Sequence, residues 1–302
     1  MKRATIVRSF LFASLITIIL FVVEYSPMRG DETMPNAPTQ TTDVPDVFLP
    51  VVLKALNPVV MVVPAGEFQM GCDPAHTGGY SCLPDELPLH AVYLDAYNID
   101  KYETTNNQYA AFLNGRNSND CGGHECIDLG DPRTHITYQG NQYLAESGYG
   151  DHPVIEVSWY GANSYCTENG GRLPTEAEWE IAARGTTIRA YPWGDQDPDC
   201  TLANFSGCLN DTSQVGAYPA GASPYGAMDM AGNVWEWVND WYDANYYISS
   251  PYSNPQGPAS GTFKVLRGGG WSPSWSPLRV AYRNPYRPQD PLSFAGFRCA
   301  SS

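Results

Sequence analysis

Hydrophobic and polar positions first indicate short strands near the start of the folded part of the chain. Between Met61 and Met70 the two kinds of residue alternate in part, and the run ends at Gly71, which is typical of a strand followed by a turn. The segment from Ala91 to Ile99 carries a similar pattern. These two segments are therefore predicted to be strands.

Three helix starts are indicated by capping residues. Thr105 and Thr175 are each followed three residues later by Gln or Glu, and Ser158 precedes an apolar face. The third helix is expected to run to Arg184. Beyond Gly185 the pattern predicts mostly loops and short strands. The fold class is therefore predicted to be α+β, with few short helices and much loop.

The N-terminal region is predicted to lie outside this domain. Basic residues precede an uncharged apolar run, Ser9–Val23, which has the length of a signal-peptide core and lacks a clean cleavage site. We expect residues 1–29 to be a signal peptide, or alternatively an uncleaved membrane anchor. Residues 30–58 are rich in Pro and Thr and predict a linker. Residues 59–302 are expected to form a single domain, secreted or anchored on the extracytoplasmic side.

The net charge bears on the possible binding partners, and the cysteine content bears on disulfide formation. The formal net charge of −15 argues against sequence-independent binding of nucleic acid, because phosphate contacts need a basic surface. Eight cysteines, an even number, favour disulfides in an oxidising compartment. They allow 105 connectivities. Proximity favours the pairs Cys72–Cys82, Cys121–Cys126 and Cys200–Cys208, which would leave Cys166 with Cys299.

Several motifs together resemble the formylglycine-generating-enzyme (sulfatase-modifying-factor) family. They are MVVPAGEFQMG (61–71), YNIDKYETTNNQYAAFLN (97–114), HPVIEVSWYGANSYC (152–166), GRLPTEAEWEIAARG (171–185), YPWGD (191–195), YGAMDMAGNVWEWVNDWYD (225–243), VLRGGGW (265–271) and GFRCA (296–300). The resemblance covers roughly residues 59–300. It implies a single domain with a variant of the C-type lectin fold.

Two calcium sites are expected. Asp229 and Glu236 bracket a tight turn, so two carboxylates can converge with backbone carbonyls, which are ligands that calcium prefers. The resemblance implies that the ligands of the first site are the side chains of Asp229 and Glu236 with the carbonyls of Gly232 and Val234. The alternative is a strand with core tryptophans and no ion. For a second site it implies Asn204 and Phe205, with Asp211 as the nearby acidic residue.

The family's catalytic chemistry is not expected here. The resemblance implies two cysteines after the RGG motif that serve copper(I) binding, in an enzyme that oxidises a substrate cysteine with oxygen. In this sequence Pro273 and Leu278 stand at those positions, and Val280 replaces a further cysteine. Copper is therefore not an expected cofactor, because the soft ion has no thiolate ligand.

A polar and aromatic set remains in the same segment. Aromatic faces with Arg donors suit binding of a glycan, a peptide or another protein, although Trp271 and Arg279 could equally be structural. The candidate binding surface comprises Trp271, Ser274, Trp275, Arg279 and Arg283. The predicted function is a calcium-stabilised, non-catalytic recognition module. The alternative is a family enzyme, an oxidoreductase or a protein-modifying or maturation factor, with non-standard chemistry rather than formylglycine generation.

Overall fold

A computed structural model of the protein describes residues 59–271 and 276–302. The predictions for residues 1–29 and 30–58, and for Pro273, Ser274 and Trp275, lie outside the described residues. In the described ranges no helix has the length and apolar character needed to cross a bilayer.

The two predicted N-terminal strands are each divided in two. The four strands are β1 (Val60–Val63), β2 (Gly66–Met70), β3 (His90–Leu94) and β4 (Tyr97–Asp100). β1 pairs antiparallel with β4, and β2 pairs antiparallel with β3. Pro64, which has no N–H donor, lies at the break between β1 and β2. One continuous strand in each segment was therefore a wrong expectation.

The later strands form a hairpin and a central sheet. They are β5 (Ile136–Gln139), β6 (Gln142–Ala145), β7 (Trp235–Trp241), β8 (Lys264–Arg267), β9 (Asn284–Tyr286), β10 (Ala295–Gly296) and β11 (Ala300–Ser301). β5 and β6 pair with each other. The central sheet has the order β10-β7-β8-β9, with β10 parallel to β7, and β11 pairs with β4.

The helices start where the capping residues predict. They are α1 (Asn106–Arg116), α2 (Trp159–Glu168), α3 (Glu176–Arg184) and the short α4 (Tyr246–Ser249). Thr105, Ser158 and Thr175 each accept a hydrogen bond from a backbone N–H of the first turn. α1 ends at Asn117, in a left-handed conformation with φ of 52°. The predicted α+β class with few short helices is confirmed.

Helix α3 lies in the middle of the domain, and every one of its residues is buried. Two of its acidic residues, Glu176 and Glu180, form ion pairs with arginines that are distant in sequence. The Glu176 carboxylate accepts hydrogen bonds from Arg283 at 2.7 and 2.9 Å, and Arg267 contacts both Glu176 and Glu180. These ion pairs join α3 to β8 and to the segment that follows it.

Four disulfides link the chain. They are Cys72–Cys82, Cys121–Cys126, Cys166–Cys299 and Cys200–Cys208, which are the pairs that proximity favours. Cys166–Cys299 connects α2 to the residue just before β11 and spans 133 positions of sequence. Such bonds are typical of an oxidising environment.

Candidate functional site

The turn from Asp229 to Glu236 leads into β7 and adopts an unusual backbone. Asp229 and Asn233 have φ of 58° and 59°, in the left-handed region that most side chains avoid. Gly232 has φ of 87°, and a Cβ there would lie 2.6 Å from the carbonyl oxygen of Asn204. The glycine therefore allows the turn to approach the Asn204 segment closely.

Three carboxylates are buried at this turn. Asp229 and Glu236 are 6% and 0% exposed, and Glu103, which sequence reasoning missed, is 1% exposed. Glu103 Oε2 accepts a hydrogen bond from Asn233 Nδ2 at 2.6 Å, and its Oε1 accepts one from Val234 N at 3.2 Å. We call Glu103, Asp229, Glu236 and Arg298 the carboxylate centre.

Arg298 supplies the guanidinium group of the carboxylate centre. Its Nε and Nη2 atoms each lie 2.7 Å from an oxygen of Glu236. Its remaining donors bind the carbonyls of Asp100, Lys101 and Met228. Trp179 also donates to Glu236 Oε2, whereas Glu236 Oε1 accepts only the bond from Arg298 within the described residues. Glu236 Oε1 therefore retains a lone pair for a further ligand.

The charges of the centre are unbalanced. Arg298 pairs directly with Glu236, and within the described residues neither Asp229 nor Glu103 forms an ion pair of its own. Burial, and then the charges of Asp229 and Glu236, raise the pKa of Glu103 well above its ordinary value. Burial likewise raises the pKa of Asp229 to about 6. A bound divalent cation would supply the missing positive charge, so this residue set fits calcium.

The second predicted cation site is only partly supported by its geometry. Asn204 Oδ1 is buried and has no hydrogen-bond partner in the described part of the chain, so its lone pairs are available to coordinate a cation. Its Nδ2 donates to the carbonyl of Asp211 at 2.7 Å. The Asp211 carboxylate instead accepts from Tyr149 Oη and Thr212 N, at 2.8 and 2.7 Å. Phe205 beside Asn204 is buried.

Asn233 connects the carboxylate centre to its surroundings. Its Oδ1 accepts a hydrogen bond from Ser213 N at 2.8 Å, and its Nδ2 lies 2.6 Å from Glu103. Its backbone carbonyl accepts from Trp271 N at 2.8 Å. The turn thus contacts Trp271, the first residue of the predicted binding surface.

The predicted binding surface requires correction. Arg279 and Arg283 are 3% and 2% exposed and form ion pairs with Glu86 and Glu176, so placing them on an exposed surface was wrong. Buried acidic residues elsewhere in the chain need these counterions. Trp271 is half-buried, and its indole Nε1 has no hydrogen-bond partner among the described residues.

Two of the positions at which the family resemblance implies cysteines lie within the described residues and carry apolar side chains. Leu278 and Val280 are 0% and 1% exposed and belong to the core. Among the described residues, the one group of three His, Cys, Asp or Glu side chains whose ligand atoms all lie within 4.8 Å of one another is Cys72, Cys82 and Glu86. Because those two cysteines form a disulfide and Glu86 pairs with Arg279, this group is not a metal site.

Comparison with known proteins places these features in context. The family model described as "Sulfatase-modifying factor enzyme 1-like domain" matches residues 51–302. A protein named serine/threonine-protein kinase pkn1, from Chlamydia caviae, is 44% identical over 226 residues, which cover 72% of this chain and 34% of the relative. The chain thus spans about a third of that relative's length.

Two further relatives are matched over most of their length. A hercynine oxygenase of Mycolicibacterium smegmatis is 34% identical over 302 residues, covering 90% of this chain and 69% of the relative. A formylglycine-generating enzyme of Thermomonospora curvata is 32% identical over 286 residues, covering 80% and 93%. The solved structure of PvdO from Pseudomonas aeruginosa superposes with a TM-score of 0.65 at 27% identity, covering 80% of this chain and 94% of that one.

Proposed function

The chain belongs to the family of sulfatase-modifying factor enzyme 1-like domains, and on that premise we propose that it is an exported, calcium-stabilised recognition module without thiol chemistry. One observation carries the proposal: all eight cysteines of the chain are engaged in disulfides. Thiolates, and not disulfides, serve as nucleophiles and soft-metal ligands. The chain therefore offers no free thiol for the copper chemistry that the family resemblance implies.

Calcium in this proposal has a structural role. The side chains of Asp229 and Glu236 and the carbonyls of Gly232 and Val234 would hold it, and its charge would offset the buried carboxylates. The ion would supply rigidity, because it links both ends of the turn. The Asn233 carbonyl of this turn accepts a hydrogen bond from the backbone of Trp271. The ion would therefore also stabilise the neighbouring surface.

Export is supported by two independent features. The N-terminal sequence combines basic residues with the apolar run Ser9–Val23. The four disulfides fit an oxidising compartment. The ligand we propose is a glycan, a peptide or another protein, bound beside the half-buried aromatic side chain of Trp271.

An enzyme of the same family with different chemistry is the second candidate. It is favoured by the identity of 34% and 32% to a hercynine oxygenase and a formylglycine-generating enzyme. This enzyme would have to act without free thiols.

The experiment is metal analysis of the purified protein, combined with an assay on a Cys-x-Pro-x-Arg peptide. We expect bound calcium, no stoichiometric copper or iron, and no aldehyde in the peptide with or without added copper. Chelation should lower the melting temperature, because an ion that binds only the folded state stabilises it. Aldehyde formation, or stoichiometric iron or copper, would favour the enzyme. A glycan and peptide array then tests recognition, and an array without any bound ligand would count against a recognition role.

A further inference from the structure

We propose that Glu103 is a functional member of the calcium site: its charge attracts the cation, and its hydrogen bonds hold the turn that coordinates it. This inference rests on the proposed calcium binding and adds to it a residue that lies 126 positions before Asp229 in the sequence. Glu103 lies outside the 229–236 motif. Its role follows from its contacts and from the charge around it.

The backbone places Glu103 firmly at the centre. It lies between β4 and the capping residue of α1. The next residue, Thr104, donates its N–H to the Phe297 carbonyl at 2.9 Å and accepts from Val154 N at 2.9 Å. These bonds anchor the segment from two sides. The backbone beside Glu103 is therefore held in place independently of the turn that its carboxylate contacts.

Both oxygens of Glu103 bind the coordinating turn. Asn233 Nδ2 and Val234 N donate to them at 2.6 and 3.2 Å. These two residues lie between Gly232 and Glu236, in the part of the turn that contributes the proposed carbonyl ligands. The backbone of Asn233 lies in the left-handed region that most side chains avoid, so contacts from outside the turn are needed to hold it. Glu103 supplies one such contact, beside those from Ser213 N and Trp271 N.

The charge of Glu103 has no cationic hydrogen-bond partner in the described ranges. Its two donors are neutral groups, whereas the hydrogen bonds of Arg298 go to Glu236 and to backbone carbonyls. A buried carboxylate with only neutral donors is costly to keep ionised. A divalent cation beside it removes that cost, and calcium affinity rises with the number of negative charges around the ion. Glu103 therefore favours the bound state of the site.

The test is a cycle of melting temperatures in calcium chloride and in chelator. Glu103→Gln keeps the size of the side chain and removes its charge. We expect calcium affinity to fall at least about tenfold in calorimetric titration, and the calcium-induced rise in melting temperature to shrink accordingly. Glu156→Gln is the matched control, because Glu156 is also buried but lies outside the carboxylate centre. It should leave the calcium-induced rise unchanged.

The outcomes separate the inference from the proposed function. If the unmodified protein gains no stability from calcium, the calcium proposal itself is wrong. If it gains stability and Glu103→Gln gains equally, Glu103 is merely structural and the inference is overturned. Should Glu103→Gln fail to fold, Glu103→Asp keeps the charge. This variant should retain most of the calcium-induced rise, and complete loss of the rise would overturn the inference.

Discussion

Glu156 shows how one residue can combine a strained backbone with an unsatisfied charge. Its φ of 58° lies in the left-handed region, and its side chain is 3% exposed. Oε1 accepts no hydrogen bond within the described residues, although Arg133 Nη2 lies 3.4 Å away. Its backbone N–H and carbonyl join Leu292 to Asp128. The residue therefore fixes two loops while its own carboxylate stays poorly solvated.

Replacing this carboxylate should change how stability depends on pH. Burial, and then the charge of Asp131, outweigh Arg133 and raise the pKa of Glu156 from 4.5 to about 7, and Asp128 adds a smaller effect. Because the folded state binds this proton more tightly than the unfolded state, protonation of Glu156 stabilises the fold. This contribution to the free energy of unfolding is complete below pH 4.5 and is lost as the pH rises through 7. Glu156→Gln should therefore gain about 3 kcal/mol relative to the unmodified protein over that range. Urea unfolding at several pH values measures this, and parallel curves would contradict it.

The acidic residues of α3 show which side-chain contacts can be predicted from a single sequence and which cannot. The Thr175–Glu178 capping box and the Glu180–Arg184 spacing could be predicted from the sequence, and the structure contains both. The ion pair of Glu176 with Arg283 could not be predicted from the sequence, because the two residues are 107 positions apart. A local pattern identifies a cap but not a distant counterion.

At the level of elements, α3 depends on its N-terminal cap although it is fully buried. Thr175 Oγ1 accepts from Glu178 N at 3.2 Å, and Glu178 Oε2 accepts from Thr175 N at 2.8 Å. In a buried helix these N–H groups have no access to water as a replacement partner.

Thr175→Ala should lower the free energy of unfolding by about 1–2 kcal/mol. Thr167→Ala in the last turn of α2 is the control, since that threonine is exposed and should change stability by less than about 0.5 kcal/mol. Chemical denaturation of both variants makes the comparison. Equal effects would mean that the cap contributes nothing specific.

Strand boundaries were less predictable than helix starts. A capping residue marks a helix start locally, whereas a strand is defined by its partner. β1 and β2 follow one another in sequence but pair with β4 and β3, in separate sheets. The interruption at Pro64 was visible in the sequence, but the sheet that each half joins depends on the whole fold. For the same reason Asp229 and Glu236 were found from one motif, while Glu103 and Arg298 were not.

For the whole molecule, the disulfides should contribute unequally to stability. In the chain-entropy model the stabilisation grows with the loop that a disulfide closes. Cys166–Cys299 spans 133 positions, and Cys121–Cys126 spans 5. Replacing both cysteines of a pair by serine should cost about 5 kcal/mol for the long loop and about 2 kcal/mol for the short one. Thermal unfolding of the two double variants tests the order. A greater loss from the short loop would contradict it.

The complete pairing of the eight cysteines also makes the protein convenient for spectroscopy. The native chain offers no sulfhydryl to a maleimide, so a cysteine introduced at one exposed position would be the sole labelling target. Ile248 in α4 is 71% exposed and is suitable for this purpose. A dye at that position would allow single-molecule fluorescence measurements without removal of any natural cysteine.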